Sequence, residues 1–338
     1  LSVDVALVAL LNNHVNVRYV GIEGLTGNVF RGPPGSEYNF NFLLEAFTSD
    51  TTTTKTPDTT ASSWTVTVGQ IALSDINARF RDESIGMNAA LNLGSLDIII
   101  DRLLLEKPSV LVKSLALDKT RASLTMWDVP GADAGPPEPT YGKNEKEMQS
   151  PEAVPDLGIE TIELGSIDFT YKDSTSGMKA FVNLGRFFLE SESIDLPGKS
   201  VLLKHIKLSE TTARLTMASE ATPISDISAS ETSSGMSLQE QLDVLPGWDV
   251  RLANLDLQNL GFMMEDKNAQ EKSSTPDFQN LHIQDLLFSA EDAVFNDEQK
   301  SVKINWLNFL EAGGFTLEEF AMDALLREIH PVLPCDRV

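Results

Sequence analysis

Residues able to do chemistry are present in this chain, but not in arrangements that do any. Its four histidines, His14, His205, His282 and His330, are scattered, and His205 and His282 lie in strand-like runs as polar-face residues. The single cysteine, Cys335, has no second thiol to pair with, and His330 is its only neighbouring candidate co-ligand, too few for a metal site. No glycine-rich phosphate loop follows a strand, no nucleophile elbow appears, and no paired-histidine zinc motif exists. The turns Asp82-Glu83-Ser84-Ile85-Gly86 and Asp173-Ser174-Thr175-Ser176-Gly177 admit a calcium-loop reading, but each offers too few carboxylates for it. Asp and Ser bonding local backbone, with Gly supplying a positive φ, make them hairpin turns instead. Trp64 and Trp248 open equivalent stretches and fit structural plugs at the start of a strand run, the other reading being a sugar-stacking platform. Glu318-Glu319 and the mixed-charge run from Lys143 to Glu147 are solvated surface. The expectation is a protein with no catalytic residues, no cofactor and no metal.

Charge narrows the partners. Lys and Arg total 26 against 50 Asp and Glu, a formal net charge of -24. Such a surface repels phosphate backbones and anionic headgroups, which argues against nucleic acid and against electrostatic membrane binding. An apolar ligand whose headgroup stays in water is indifferent to that charge. The run Val5–Leu11 is too short to span a bilayer. A start at Leu1 without a signal peptide suggests a piece of a longer protein, any membrane anchor lying outside it.

The elements that position these residues repeat. Sliding the chain by 91 residues lays Asp82–Met126 on Asp173–Met217 without a gap, with 18 of 45 residues identical. Asn92-Leu93-Gly94 meets Asn183-Leu184-Gly185, and Leu124-Thr125-Met126 meets Leu215-Thr216-Met217. A shift of 184 brings Trp64, Val66, Val68, Ile71, Leu73 and Ile76 onto Trp248, Val250, Leu252, Leu255, Leu257 and Leu260. Repeats of this length are stacked units, none of which buries its apolar face alone. Composition divides the chain into an N-terminal unit (1–48), a Ser/Thr loop (49–63), unit 1 (64–126), a Pro- and acid-rich loop (127–156), unit 2 (157–217), an acidic loop (218–247) and unit 3 (248–338).

Inside a unit the apolar residues alternate, the period of a strand with one buried face. The alternation slips by one between Val68 and Ile71, between Val112 and Leu115, and between Leu203 and Ile206. A slip turns every later side chain over unless the strand bulges or turns a corner there, so regular slips imply a sheet built to curve. Val3–Leu11 and Leu317–Glu328 have spacings that suit either a short helix or a strand. No series of amphipathic helices exists to cover such a sheet, so it must fold over itself, close into a barrel, or leave a groove. The fold class is therefore all-β, an elongated curved repeat sheet. The residues expected to line its groove are Val66, Val68, Ile71, Leu73, Val110, Val112, Leu115, Leu117, Val201, Leu203, Ile206, Leu208, Val250, Leu252, Leu255 and Leu257.

The stretch from Val3-Asp4-Val5 through Leu10-Leu11-Asn12-Asn13-His14 to Val20-Gly21-Ile22-Glu23-Gly24-Leu25 resembles the AsmA-like pattern: valine-rich strand, double leucine, small polar turn, alternating strand with a slip. Tyr38–Phe47, the Ser/Thr loop and Trp64-Thr65-Val66 look like the N-terminal portion of TamB-type proteins. The likeness is one of pattern and order and carries no catalytic motif; the two acidic loops are longer than that pattern expects. The resemblance implies a U-shaped "β-taco" groove in a periplasmic protein anchored to the inner membrane. It implies phospholipid as cargo, a barrel of the outer-membrane insertase superfamily as partner, and a role in outer-membrane biogenesis. An assembly factor for outer-membrane barrels and an adhesin-like β-solenoid are the alternative readings.

Overall fold

A computed structural model describes residues 1–6, 14–42, 65–104, 109–129, 156–217, 247–267 and 280–327, and all fourteen of its elements are strands. They are β1 (Ser2–Val5), β2 (His14–Glu23), β3 (Thr26–Arg31), β4 (Thr65–Asp82), β5 (Met87–Leu104), β6 (Ser109–Met126) and β7 (Asp156–Asp173). There follow β8 (Lys179–Asp195), β9 (Ser200–Ser209), β10 (Thr212–Met217), β11 (Asp249–Asp266), β12 (His282–Phe295), β13 (Gln299–Glu311) and β14 (Thr316–Arg327). Both segments whose spacing suits helix or strand contain strands, β1 and β14. Hairpin turns stand where the Asp-to-Gly motifs place them, with Gly86 at φ 65° and Gly177 at φ 69°.

All fourteen strands belong to one sheet, laid down almost in chain order. β2 and β3 are two halves of one interrupted strand beside β4, and β9 and β10 are two halves of another between β8 and β11. Within a unit neighbours are antiparallel, as in β4-β5-β6. Units meet in parallel pairs: β2 and β3 with β4, β6 with β7, and β9 and β10 with β11. A chain leaving one strand for a parallel neighbour must return the whole strand length. For an 18-residue strand such as β6 that is ~60 Å. This requirement accounts for the length of the three composition-biased stretches, which lie for the most part outside the described residues: each joins the last strand of one unit to the first of the next.

Two lines of broken pairing cross the sheet. The first passes Gly69 of β4, the β5–β6 shift at Ile99/Ile100, Lys113 of β6, Glu160 of β7, the β8–β9 shift at Glu190/Ser191 and Asp292 of β12. It falls where the apolar alternation slips in the sequence. The second passes Asp75, Lys119, Ser166, Glu210 and Asn259, all in the left-handed region at φ 51–54°. Bulged positions bend a strand and add twist, so these lines divide each long strand into three panels. On β4 they are 65–68, 70–74 and 76–82. Gly94 and Gly185 sit against the second line because a Cβ there would lie 2.6 Å from the Lys119 carbonyl oxygen and 2.4 Å from that of Glu210.

Among the described residues no second layer covers the sheet. Among the described residues the buried hydrophobic side chains are Leu93, Ala290 and Ala293 alone. A sandwich or closed barrel of this size would bury a continuous core.

Candidate functional site

Cross-strand register sorts the side chains of the middle panel into rows, and the two rows on one face are hydrocarbon from one side of the sheet to the other. The first begins at Val3, Val20, Ile71 and Ile98, continues through Leu115, Ile162, Leu189 and Ile206, and ends at Leu255, Ala290, Ile304 and Met322. The second runs from Ile22 through Leu73, Leu96, Leu117, Leu164 and Phe187 to Leu208, Leu257, Phe288, Leu307 and Phe320. Twelve strands lie along the path. At ~4.8 Å per strand the rows extend for ~50 Å.

The outer panels continue the same face. On one side Val17 stands opposite Val68, Val112 opposite Ile100 and Ile159, Val110 opposite Leu157, Val201 opposite Val250, and Leu203 opposite Leu252. Val66 joins them by its register with Val15; its side chain is not described. On the other side come Ile76 opposite Leu93, Ala78 opposite Leu91, and Phe169 between Ala122 and Val182. All sixteen residues singled out in the sequence thus occupy one face. Their side chains, where described, are half-buried, and aromatic rings of this face lie open: Phe169 is 38% exposed and Phe262 36%.

One residue along, the opposite face is polar. The row behind the second apolar row reads Ala72, Asp97, Ala116, Glu163, Phe188, Lys207, Asp256, Ser289 and Trp306. His205 belongs to this face as expected, its Nε2 3.0 Å from Asp256 Oδ2 and its ring edge-on to Phe188. Lys204 pairs with Glu190 at 3.0 Å, Arg121 with Asp168 at 3.5 Å, and Lys303 with Glu291. His282 lies beside Gln284. His14 is in β2 with its side chain undescribed, while His330, Cys335 and Trp64 lie outside the described residues. Trp248 immediately precedes β11 and is half-buried.

The apolar face carries one charge that is wholly enclosed. Asp82 ends β4 with no exposed surface. It accepts hydrogen bonds from Arg31 Nε at 2.9 Å, from the Tyr38 hydroxyl at 2.9 Å, and from the Ser84 amide and hydroxyl at 3.0 and 2.6 Å. Burial pushes its carboxyl up, but the bonds from Arg31, Ser84 and Tyr38 together outweigh burial and hold it well below the usual carboxylate range. Arg31 also lies over the Tyr38 ring at 4.7 Å, and that ring stacks on Phe40 and leans on Phe80. Asp82 and Asp173 open equivalent turns but differ in the residue paired beside them, Arg31 in one case and Met126 in the other. Sequence reasoning accordingly assigned both to turns and missed the Arg31–Tyr38 enclosure.

Among the described residues no group of three His, Cys, Asp or Glu side chains is placed to hold a metal ion. No helix among them is long and apolar enough to cross a membrane. Neither a protein-family model nor a curated protein matches the chain.

Proposed function

We propose that this chain is a non-catalytic segment of a lipid bridge, holding phospholipid acyl chains against its apolar face while their headgroups remain in water. The observation that carries the reading is the pair of uninterrupted hydrocarbon rows, ~50 Å long, with no layer of the described residues over them. Apolar surface on this scale, left in water, marks a place where something apolar binds. Each methylene removed from water contributes about 0.8 kcal/mol. Successive strands offer near-identical rows, so a chain held firmly in total can step from one position to the next. The -24 net charge disfavours adsorption of the whole protein to an anionic bilayer and leaves hydrocarbon contact as the attractive force.

The TamB- and AsmA-like pattern extends the proposal to a setting: a periplasmic protein anchored to the inner membrane through a segment outside this chain, delivering phospholipid toward an outer-membrane barrel. Native mass spectrometry of the purified chain tests the central part. Bound phospholipid is expected, and a protein that is always empty, even after incubation with vesicles, refutes the reading.

One feature favours a second reading, an assembly factor that pairs with strands of a client barrel. Among the described strands β14 is the last of the sheet, and Phe320, Met322 and Leu325 are exposed on it. Photo-cross-linking separates the two readings, since a client strand attaches along β14 and a lipid along the middle panel.

A further inference from the structure

In a chain of net charge -24, three neighbouring cations on the polar face have no ion-pair partner among the described residues: Lys172, Lys179 and Arg214. They stand on three adjacent strands. Lys172 and Lys179 are directly opposite one another in the β7–β8 pair, an arrangement of like charges that is unfavourable when nothing answers it. Arg214 faces Phe181, two residues from Lys179 on the same side of β8. Three acids near the lysines are placed elsewhere. Asp168 holds Arg121 and Asn183, Asp173 accepts from the Thr175 amide and the Ser176 hydroxyl, and Glu265 stands a strand further on, opposite Thr216. Beside the cations is a hollow whose lining includes Phe181, Thr212, Arg214, Met263, His282 and Gln284, with one acid, Asp285. Phe181 is 40% exposed at its margin.

We propose that this patch is the docking surface for the chain's own acidic segment, residues 218–246. Charge complementarity is the first argument: that segment contains Glu220, Asp226, Glu231, Glu240 and Asp243 and no Lys or Arg. Position is the second. The segment leaves the sheet at Met217, three residues beyond Arg214 on the same strand, and the chain re-enters at Asp249. Because β10 and β11 are parallel, the chain has to regain the full height of the sheet between Met217 and Asp249. Apolar residues within it, Ile224, Ile227 and Leu238 among them, suit the hollow beside the cations. Docking on the polar face keeps the segment off the apolar rows. The proposal stands independently of what those rows bind.

Zero-length carbodiimide cross-linking of the full chain, carried out on an equal mixture of isotopically light and heavy protein, tests it. Lys172 or Lys179 should be joined to carboxylates of 218–246 within one molecule, and the yield should fall as salt rises. Links only between molecules would assign the patch to a second copy, and links to other carboxylates or none would remove the segment as its occupant. The double variant Lys172→Glu, Lys179→Glu supplies a second readout. Proteolytic cleavage within 218–246 should accelerate roughly threefold or more while cleavage elsewhere keeps its rate; an unchanged rate overturns the proposal.

Discussion

Leu96 and Asp97 are adjacent in β5, and the rows they belong to are as different as two rows of one sheet can be. Leu96 is one of eleven hydrocarbon side chains in register, whereas Asp97 belongs to a row that mixes Asp, Glu and Lys with Ala, Ser and rings. Gln70 donates to Asp97, and ion pairs recur across the polar face. A sheet with one wet face is ordinary when its other face meets a second layer. Here the described residues supply no second layer, and the apolar face is continuous across the parallel joints as well as the antiparallel ones. The polar face tolerates variety because water solvates whatever stands there. The uniformity of the apolar face is what the proposed lipid-holding surface requires.

Charges on each face should break this comparison most visibly. Leu96→Asp, Leu117→Asp and Leu164→Asp together should cut the phospholipid carried through purification about tenfold or more, with the strand signal in circular dichroism preserved. Asp97→Asn with Glu163→Gln, one residue along, should leave the lipid load unchanged.

Asp82 sharpens the contrast, since this charge on the apolar face is enclosed by partners of its own. Arg31→Met should destabilise the β3–β5 region by about 3 kcal/mol, seen as loss of amide protection there, whereas Asp173→Asn in the equivalent open turn should produce little change. The depressed folded-state pKa of Asp82 fixes the sign of its pH dependence. Its contribution is present above the unfolded carboxylate value of ~3.9 and is lost as pH falls below that toward the folded value. Protection of β4 should therefore decline on acidification from pH ~5 to ~3, and Asp82→Asn should abolish that component.

Smaller effects are expected at the bend that keeps the panels in phase. Gly94→Ala and Gly185→Ala press a methyl group against a backbone carbonyl and should cost about 1–3 kcal/mol each, measured by urea unfolding. Smallest of all, Lys204→Gln on the polar face should leave the unfolding midpoint where it was, because its pair with Glu190 is exposed.

Much of this was legible in the sequence. Alternation anticipated the strands, and the slip at Gly69 located the first bend. The second bend was equally visible in the three-residue spacing of Leu73 and Ile76, repeated at Leu164 and Ile167 and at Leu257 and Leu260, but a spacing of three also occurs in loose alternation. Left-handed backbone at Asp75, Lys119 and Ser166 has no shared residue type that announces it. The parallel joints were concealed because strand direction depends on where a connection lands, and only the length of the loops hinted at a full return. The Asp82 enclosure was illegible for the same reason: Arg31 and Tyr38 lie 51 and 44 residues away and meet Asp82 only through the sheet.

The most direct test is a phospholipid bearing a photoreactive acyl chain, irradiated on the intact protein and mapped by peptide mass spectrometry. The account predicts adducts on residues of the two apolar rows, such as Leu96, Leu164 and Phe187, spread over several units. Adducts confined to the row of Asp97, Glu163 and Lys207, or scattered equally over both faces, would contradict it.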